Sequence, residues 1–256
     1  LTSGAGNTAV GYQTMMAVAD TESKNVAIGY QAMSACDQGS HANAHIDSNV
    51  AIGYQALTGG DFSAADLNLD HNVAIGTNAM DGTGAIEGTW NIAIGTNALG
   101  GSWTTAASNY NVAIGGASMA GALNGALENT SVGYTAGQDL TSGDENTLIG
   151  STAGANLTTV SNNTVVGRGA LYTSTDAASC VVIGHQAMYA AMNGALNNTA
   201  VGYGSLSALT EGDSNTAIGR AAADAITTGA NNTVVGDSAL GTATTATLNI
   251  VMGGDA

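Results

Sequence analysis

The sequence predicts an all-β fold, a parallel β-solenoid of about fourteen coils. Three observations lead there: a five-residue unit recurring along the chain, the absence of charge from every copy, and a composition unsuited to a globular core. The unit is Asn-(Thr/Val/Ile)-small-(Val/Ile)-Gly. It opens at Asn7, Asn25, Asn49, Asn72, Asn91, Asn111, Asn129, Asn146, Asn163, Asn198, Asn215, Asn232 and Asn249, and one further copy begins with Cys180 in the Asn place. Each copy closes on glycine: Gly11, Gly29, Gly53, Gly76, Gly95, Gly115, Gly133, Gly150, Gly167, Gly184, Gly202, Gly219, Gly236 and Gly253. Successive copies stand 18, 24, 23, 19, 20, 18, 17, 17, 17, 18, 17, 17 and 17 residues apart. From Asn129 onward the period is nearly constant, as stacked coils require.

Each pentad reads as a short strand. Its β-branched residues, such as Val26 and Ile28, lie two apart and share one face; the residue between them, usually Ala, faces the other way. Both faces are apolar or small, the pattern of a strand covered on both sides. One face fills the coil, and the other meets a second wall of the coil or another chain. The closing glycine suits a sharp turn or a left-handed backbone. Stacking at ~4.8 Å sets successive Asn side chains above one another as an amide ladder.

After the glycine comes a second semi-regular stretch, Tyr30-Gln-Ala-Met33 or His185-Gln-Ala-Met188, expected to be the return strand. Tyr12, Tyr30 and Tyr54 should stack, with Gln13, Gln31 and Gln55 as a second ladder beside them. All nineteen acidic residues lie outside the pentads, in this arm and its loops, where solvent is expected. The chain reads as one solenoid domain over 1–256, with longer loops between 29 and 111 and regular coils of 17 or 18 residues over 129–253. Thirteen intervals of ~4.8 Å make a rod of roughly 60 Å. Neither end reads as a polar cap, so the rod is expected to be part of a longer chain or filament.

Composition excludes several classes. There are 37 Gly, no Pro and one Phe, and 9% of residues are charged where an average chain has about 25%. Such a core must be thin and built from small groups. Lys24, Arg168 and Arg220 are the only cations in a chain of net charge −16. That rules against nucleic acid, which needs clustered cations, and against anionic lipid. Apolar runs are short and interrupted, so no membrane insertion is expected. Cys36 and Cys180 fall eight coils apart, nearly 40 Å at ~4.8 Å per coil, far beyond disulfide reach; free buried thiols are expected. The nucleophile-elbow, zinc-protease and phosphate-loop motifs are missing, and no carboxylate pair stands out. No enzyme activity and no cofactor are expected.

The long intervals between Asn25 and Asn111 collect His41, His45, Phe62, His71, Trp90, Trp103 and Tyr110. Aromatic residues in loops on a rigid scaffold are either recognition groups or packing for the loops; His41, His45, Phe62, Trp90, Trp103 and Tyr110 are the candidate ligand-binding residues. His41, His45, Asp47, Asp70 and His71 could meet on adjacent coils around a cation, although no tight ligand spacing supports it, and no metal is expected.

The pentads, with Asn-Thr-Ala-Val-Gly-Tyr-Gln at 7–13 and their copies over 7–253, resemble the YadA-like heads of trimeric autotransporter adhesins; similar repeats occur in phage tail-fibre-like proteins. The resemblance implies a left-handed parallel β-roll, a homotrimer with the second apolar face as its seam, and attachment to a host-surface protein or glycan. The family's head coils are shorter than the 17-residue period here. The expected function is therefore an extracellular adhesive or structural rod on a cell surface or virion tail fibre. The alternative is a filament subunit stacking end to end. A monomeric ice-binding solenoid needs an exposed Thr array, and the pentad Thr residues are expected to be buried.

Overall fold

The computed structural model describes residues 4–16, 22–36, 45–59, 67–84, 86–103 and 105–256. It shows an all-β parallel solenoid, with every pentad forming one three-residue strand and no helix among the described residues. The chain divides into two compact units, Leu1–Glu128 and Asn129–Ala256. The first holds β1 (Thr8–Val10), β2 (Val26–Ile28), β3 (Val50–Ile52), β4 (Val73–Ile75), β5 (Ile92–Ile94) and β6 (Val112–Ile114). The second holds β7 (Thr130–Val132), β8 (Thr147–Ile149), β9 (Thr164–Val166), β10 (Val181–Ile183), β11 (Thr199–Val201), β12 (Thr216–Ile218), β13 (Thr233–Val235) and β14 (Ile250–Met252). Within each unit consecutive strands pair in parallel without offset. Val26 lies beside Val50 and Val50 beside Val73 in the first; Thr199 lies beside Thr216 and Thr216 beside Thr233 in the second.

Register follows from the Asn positions, whose side chains join each rung to the next. Asn49 Nδ2 donates to Asn25 Oδ1 at 3.1 Å, and the same oxygen accepts the Asn49 backbone N–H at 2.9 Å. Asn49 Nδ2 also donates to the Leu69 carbonyl at 2.6 Å, tying the loop to the strand. One amide thus satisfies backbone groups on two rungs in a buried site where water cannot serve them.

The inward face is the one carrying the middle residue of each pentad. Ala27, Ala51, Ala74, Ala93 and Ala113 are buried in the first unit, as are Leu148, Val165, Val182, Ala200, Ala217 and Val234 in the second. Opposite them lie the residues three and four places after the glycine, including Ala32 with Met33 and Ala187 with Met188. Volume is balanced inside a rung. Leu148 replaces the usual small residue, and Gly154 stands where other rungs carry Met or Leu. A Cβ at Gly154 would come within 2.9 Å of both Leu148 and Leu157.

Two expectations are corrected. The stretch after each glycine is a chain of turns, not a return strand. Gln31 and Met33 both have positive φ, 56° and 51°, which a strand does not allow. Their N–H groups point in opposite directions along the stack, Gln31 N to the Tyr12 carbonyl and Met33 N to the Ala56 carbonyl. Rungs are therefore hydrogen-bonded on this wall without forming a sheet. The second correction is Glu22, which is fully buried rather than in solvent.

Candidate functional site

Outside the coil, the first and third strand residues of the pentads, nearly all β-branched, form a face in each unit, and no second wall covers it among the described residues. Ile28 and Ile114 of the first unit are 36% and 37% exposed, and Ile149 and Ile218 of the second are 40% and 42% exposed, even with neighbours in their own column. No Asp, Glu, Lys or Arg lies on this face in any strand. In β2–β6 both outward positions are Val or Ile; in six of the eight strands of the second unit the first position is Thr. The pentad Thr residues therefore point outward from the coil, half-buried or exposed in the single chain. A hydroxyl in so narrow an interior would need a hydrogen-bond partner there, and outside it meets solvent. The one inward pentad hydroxyl, Ser131, donates to the Ala136 carbonyl at 2.8 Å.

A second feature borders this face. From Lys24 onward the residue just before each pentad has φ near +60° and its side chain points away from the coil. In the first unit this column reads Lys24, Ser48, His71, Trp90, Tyr110, Glu128, so Trp90 and Tyr110 sit on neighbouring rungs. Trp90 N donates to the Asp70 carbonyl at 3.0 Å, and Tyr110 N donates to the Thr89 carbonyl at 3.1 Å. The His71 and Trp90 rings stack with centroids 4.1 Å apart and 5° between planes. Trp90 and Tyr110 are more than half exposed. The three form an exposed aromatic ladder, and their shared place before an Asn was the sequence signal for it.

Two of the other candidates, Trp103 and His45, do not join them. Trp103 is buried, its ring against Gly88, where an added Cβ would lie 2.5 Å from the indole. It packs its loop onto the coil. His45 is exposed and its backbone bridges to the next rung, with Leu69 N donating to the His45 carbonyl. His41 and Phe62 lie outside the described residues. The carboxylates suggested for a cation serve the backbone instead. Asp47 accepts the Ser23 N–H, and Asp70 accepts the Asp47 N–H at 2.7 Å. Burial raises the Asp70 pKa above the usual carboxylate range, against the pull of that bond. Among the described residues no group of three or more His, Cys, Asp or Glu could hold a metal ion.

The remaining columns are structural. Tyr12, Tyr30 and Tyr54 stack at 5.3 Å, and the amides of Gln13, Gln31 and Gln55 bond in series at 2.8 and 3.0 Å. Cys36 and Cys180 are free and buried. Burial, reinforced by the Glu22 carboxylate, pushes the Cys36 thiol far above its ordinary value, so it is no nucleophile at neutral pH. No helix among the described residues is long and apolar enough to cross a membrane. No family model, no curated protein and no solved structure matches the chain.

Proposed function

We propose that the chain is an extracellular structural and adhesive rod that assembles as a homotrimer through its outward pentad face and attaches to a host-surface protein or glycan through the aromatic ladder. The observation that carries this reading is the charge-free β-branched face. The molecule bears a net charge of −16, and its copies repel wherever their acidic loops meet. The pentad face can be buried against itself without desolvating an ion, gaining roughly 25 cal/mol per Å² of apolar surface covered. The resemblance to YadA-like heads and tail-fibre-like repeats supports three copies and a surface location.

The test is mass in solution. A discrete species near three times 25.0 kDa is expected. Open-ended polymers would favour the filament reading, and a monomer would remove both. Attachment is tested separately. Replacing Trp90 and Tyr110 together with Ala should lower binding to the target surface about tenfold or more, as loss of central aromatic contacts does, while leaving the melting temperature within a degree or two. Unchanged attachment would show the ladder to be bystander surface.

One observation favours a second reading. The Thr column of the second unit, Thr130, Thr147 and Thr164, then Thr199, Thr216 and Thr233, repeats at the strand spacing on an exposed face. A regular hydroxyl array of this kind suits ordered water, so a monomer that produces thermal hysteresis would make the chain an ice-binding solenoid.

A further inference from the structure

In the first three rungs of the first unit the position two residues after the closing glycine is filled by Gln13, Gln31 and Gln55, whose amides bond in series. The same position in three consecutive rungs of the second unit reads Gly169, Gln186, Gly204. The Gln186 amide therefore has no amide above or below it. Geometry does not demand glycine at these places. Gly169 has φ +64°, close to the 56° of Gln31, and a Cβ there would meet nothing nearer than 3.7 Å; at Gly204 it would meet nothing within 4 Å. What Gly169 supplies is space. The missing side chain opens a cavity of about 220 Å³ lined by Thr152, Arg168, Gly169, Tyr172, Gln186 and Tyr189.

The lining has a definite chemistry. Arg168 is one of three cations in the chain, and its Nη1 donates to His185 Nε2 at 3.1 Å. Among the described residues no carboxylate lies within ion-pair distance of it, whereas Arg220 is paired with Asp237 at 2.7 Å. The His185 ring is itself held by stacking on Tyr203 at 5.3 Å. Tyr172 and Tyr189 stack at 5.7 Å and place two phenols at the cavity. No aliphatic side chain lines it. A guanidinium fork, an amide, a hydroxyl and two phenols around one small open space suit a ligand with a carboxylate, several hydroxyls and an apolar ring face. The cavity is smaller than the roughly 300–1,000 Å³ of drug-sized sites, so it takes one ring.

We infer that this notch binds the carboxylated monosaccharide unit of an acidic glycan, with Arg168 on the carboxylate, Gln186 and Thr152 on ring hydroxyls, and the paired tyrosines against the ring. The inference does not depend on trimer formation or on the aromatic ladder of the first unit.

The experiment is a ligand-observed NMR titration of the full chain with glucuronic acid, N-acetylneuraminic acid, glucose and acetate. Saturable binding of at least one acid sugar is expected, at least about tenfold tighter than glucose or acetate. Gly169→Gln fills the notch with the side chain that occupies equivalent positions at a similar φ in the first three rungs of the first unit, and should abolish binding with the fold intact. Arg168→Met should weaken binding about tenfold or more, the scale of one lost charged hydrogen bond. The inference is overturned if no acid sugar saturates, if acetate or glucose competes equally, or if either variant binds as well as the parent.

Discussion

Replacing Gly219 with Ala is expected to cost roughly 4 kcal/mol or more, at the extreme end for one substitution. Two causes add. The closing glycines all have φ between 130° and 146°, and at Gly219 it is 142°, a region that only glycine populates freely. A Cβ there would also lie 2.2 Å from the Gly236 carbonyl oxygen and 2.6 Å from its carbon. Those atoms are the backbone of the next rung, held by its own ladder, so they cannot yield without separating β12 from β13. Gly194 is the control. It has φ +78°, and nothing stands within 4 Å of a Cβ there, so Gly194→Ala should cost only about 1–2 kcal/mol of backbone strain. Urea midpoints for the two variants measure the difference. Equal destabilisation would mean that neither the extreme φ of the closing glycine nor its contact with the next rung carries the expected cost.

That contrast marks what could be read from the sequence. The strands, their register and the Asn, Tyr and Gln columns were legible because identical residues recur at identical offsets, and stacking places equal offsets together. Which pentad face points inward was less legible, because Ala and Val are both apolar. Thr at the first position holds a signal that the expectation of buried Thr overlooks: a hydroxyl column inside a coil packed with Ala and Met would be unsatisfied, so that face is outside. The turn character of the stretch after each glycine carried no local flag, since positive φ falls on Gln31 and Met33 rather than on glycine. Bonds to neighbouring rungs hold them there, and a sequence pattern does not display those bonds. Trp90 and Trp103 looked alike in composition and differ in offset. Trp90 directly precedes an Asn and stands on the exposed column, whereas Trp103 lies in the middle of a loop and is drawn into the coil.

The Asn ladder carries the second large effect. Asn215 Nδ2 donates to Asn198 Oδ1 at 3.2 Å and to the Gly229 carbonyl at 2.9 Å. Its Oδ1 accepts from Asn232 N at 3.1 Å and from Asn232 Nδ2 at 2.9 Å. Asn215→Ala strips partners from a backbone N–H, a carbonyl and two side-chain amides, in a site closed to water. At about 1–3 kcal/mol for each buried group left unpaired, partly offset by relaxation, the expected loss is roughly 3–5 kcal/mol. The natural break in the ladder supplies the converse. Cys180 N still donates to Asn163 Oδ1 at 3.1 Å, but the Asn198 N–H meets a thiol instead of an amide oxygen. Burial raises the pKa of that thiol, while the N–H groups of Asn198 and Asn197 pull it down, so it stays a neutral, weak acceptor at neutral pH. Cys180→Asn should reconnect Asn163 to Asn198 and stabilise the second unit by about 1 kcal/mol, read as a higher urea midpoint and slower amide exchange at Asn198. If Asn215→Ala proves mild and Cys180→Asn neutral, the amides merely occupy the ladder and the rungs are joined by strand hydrogen bonds alone.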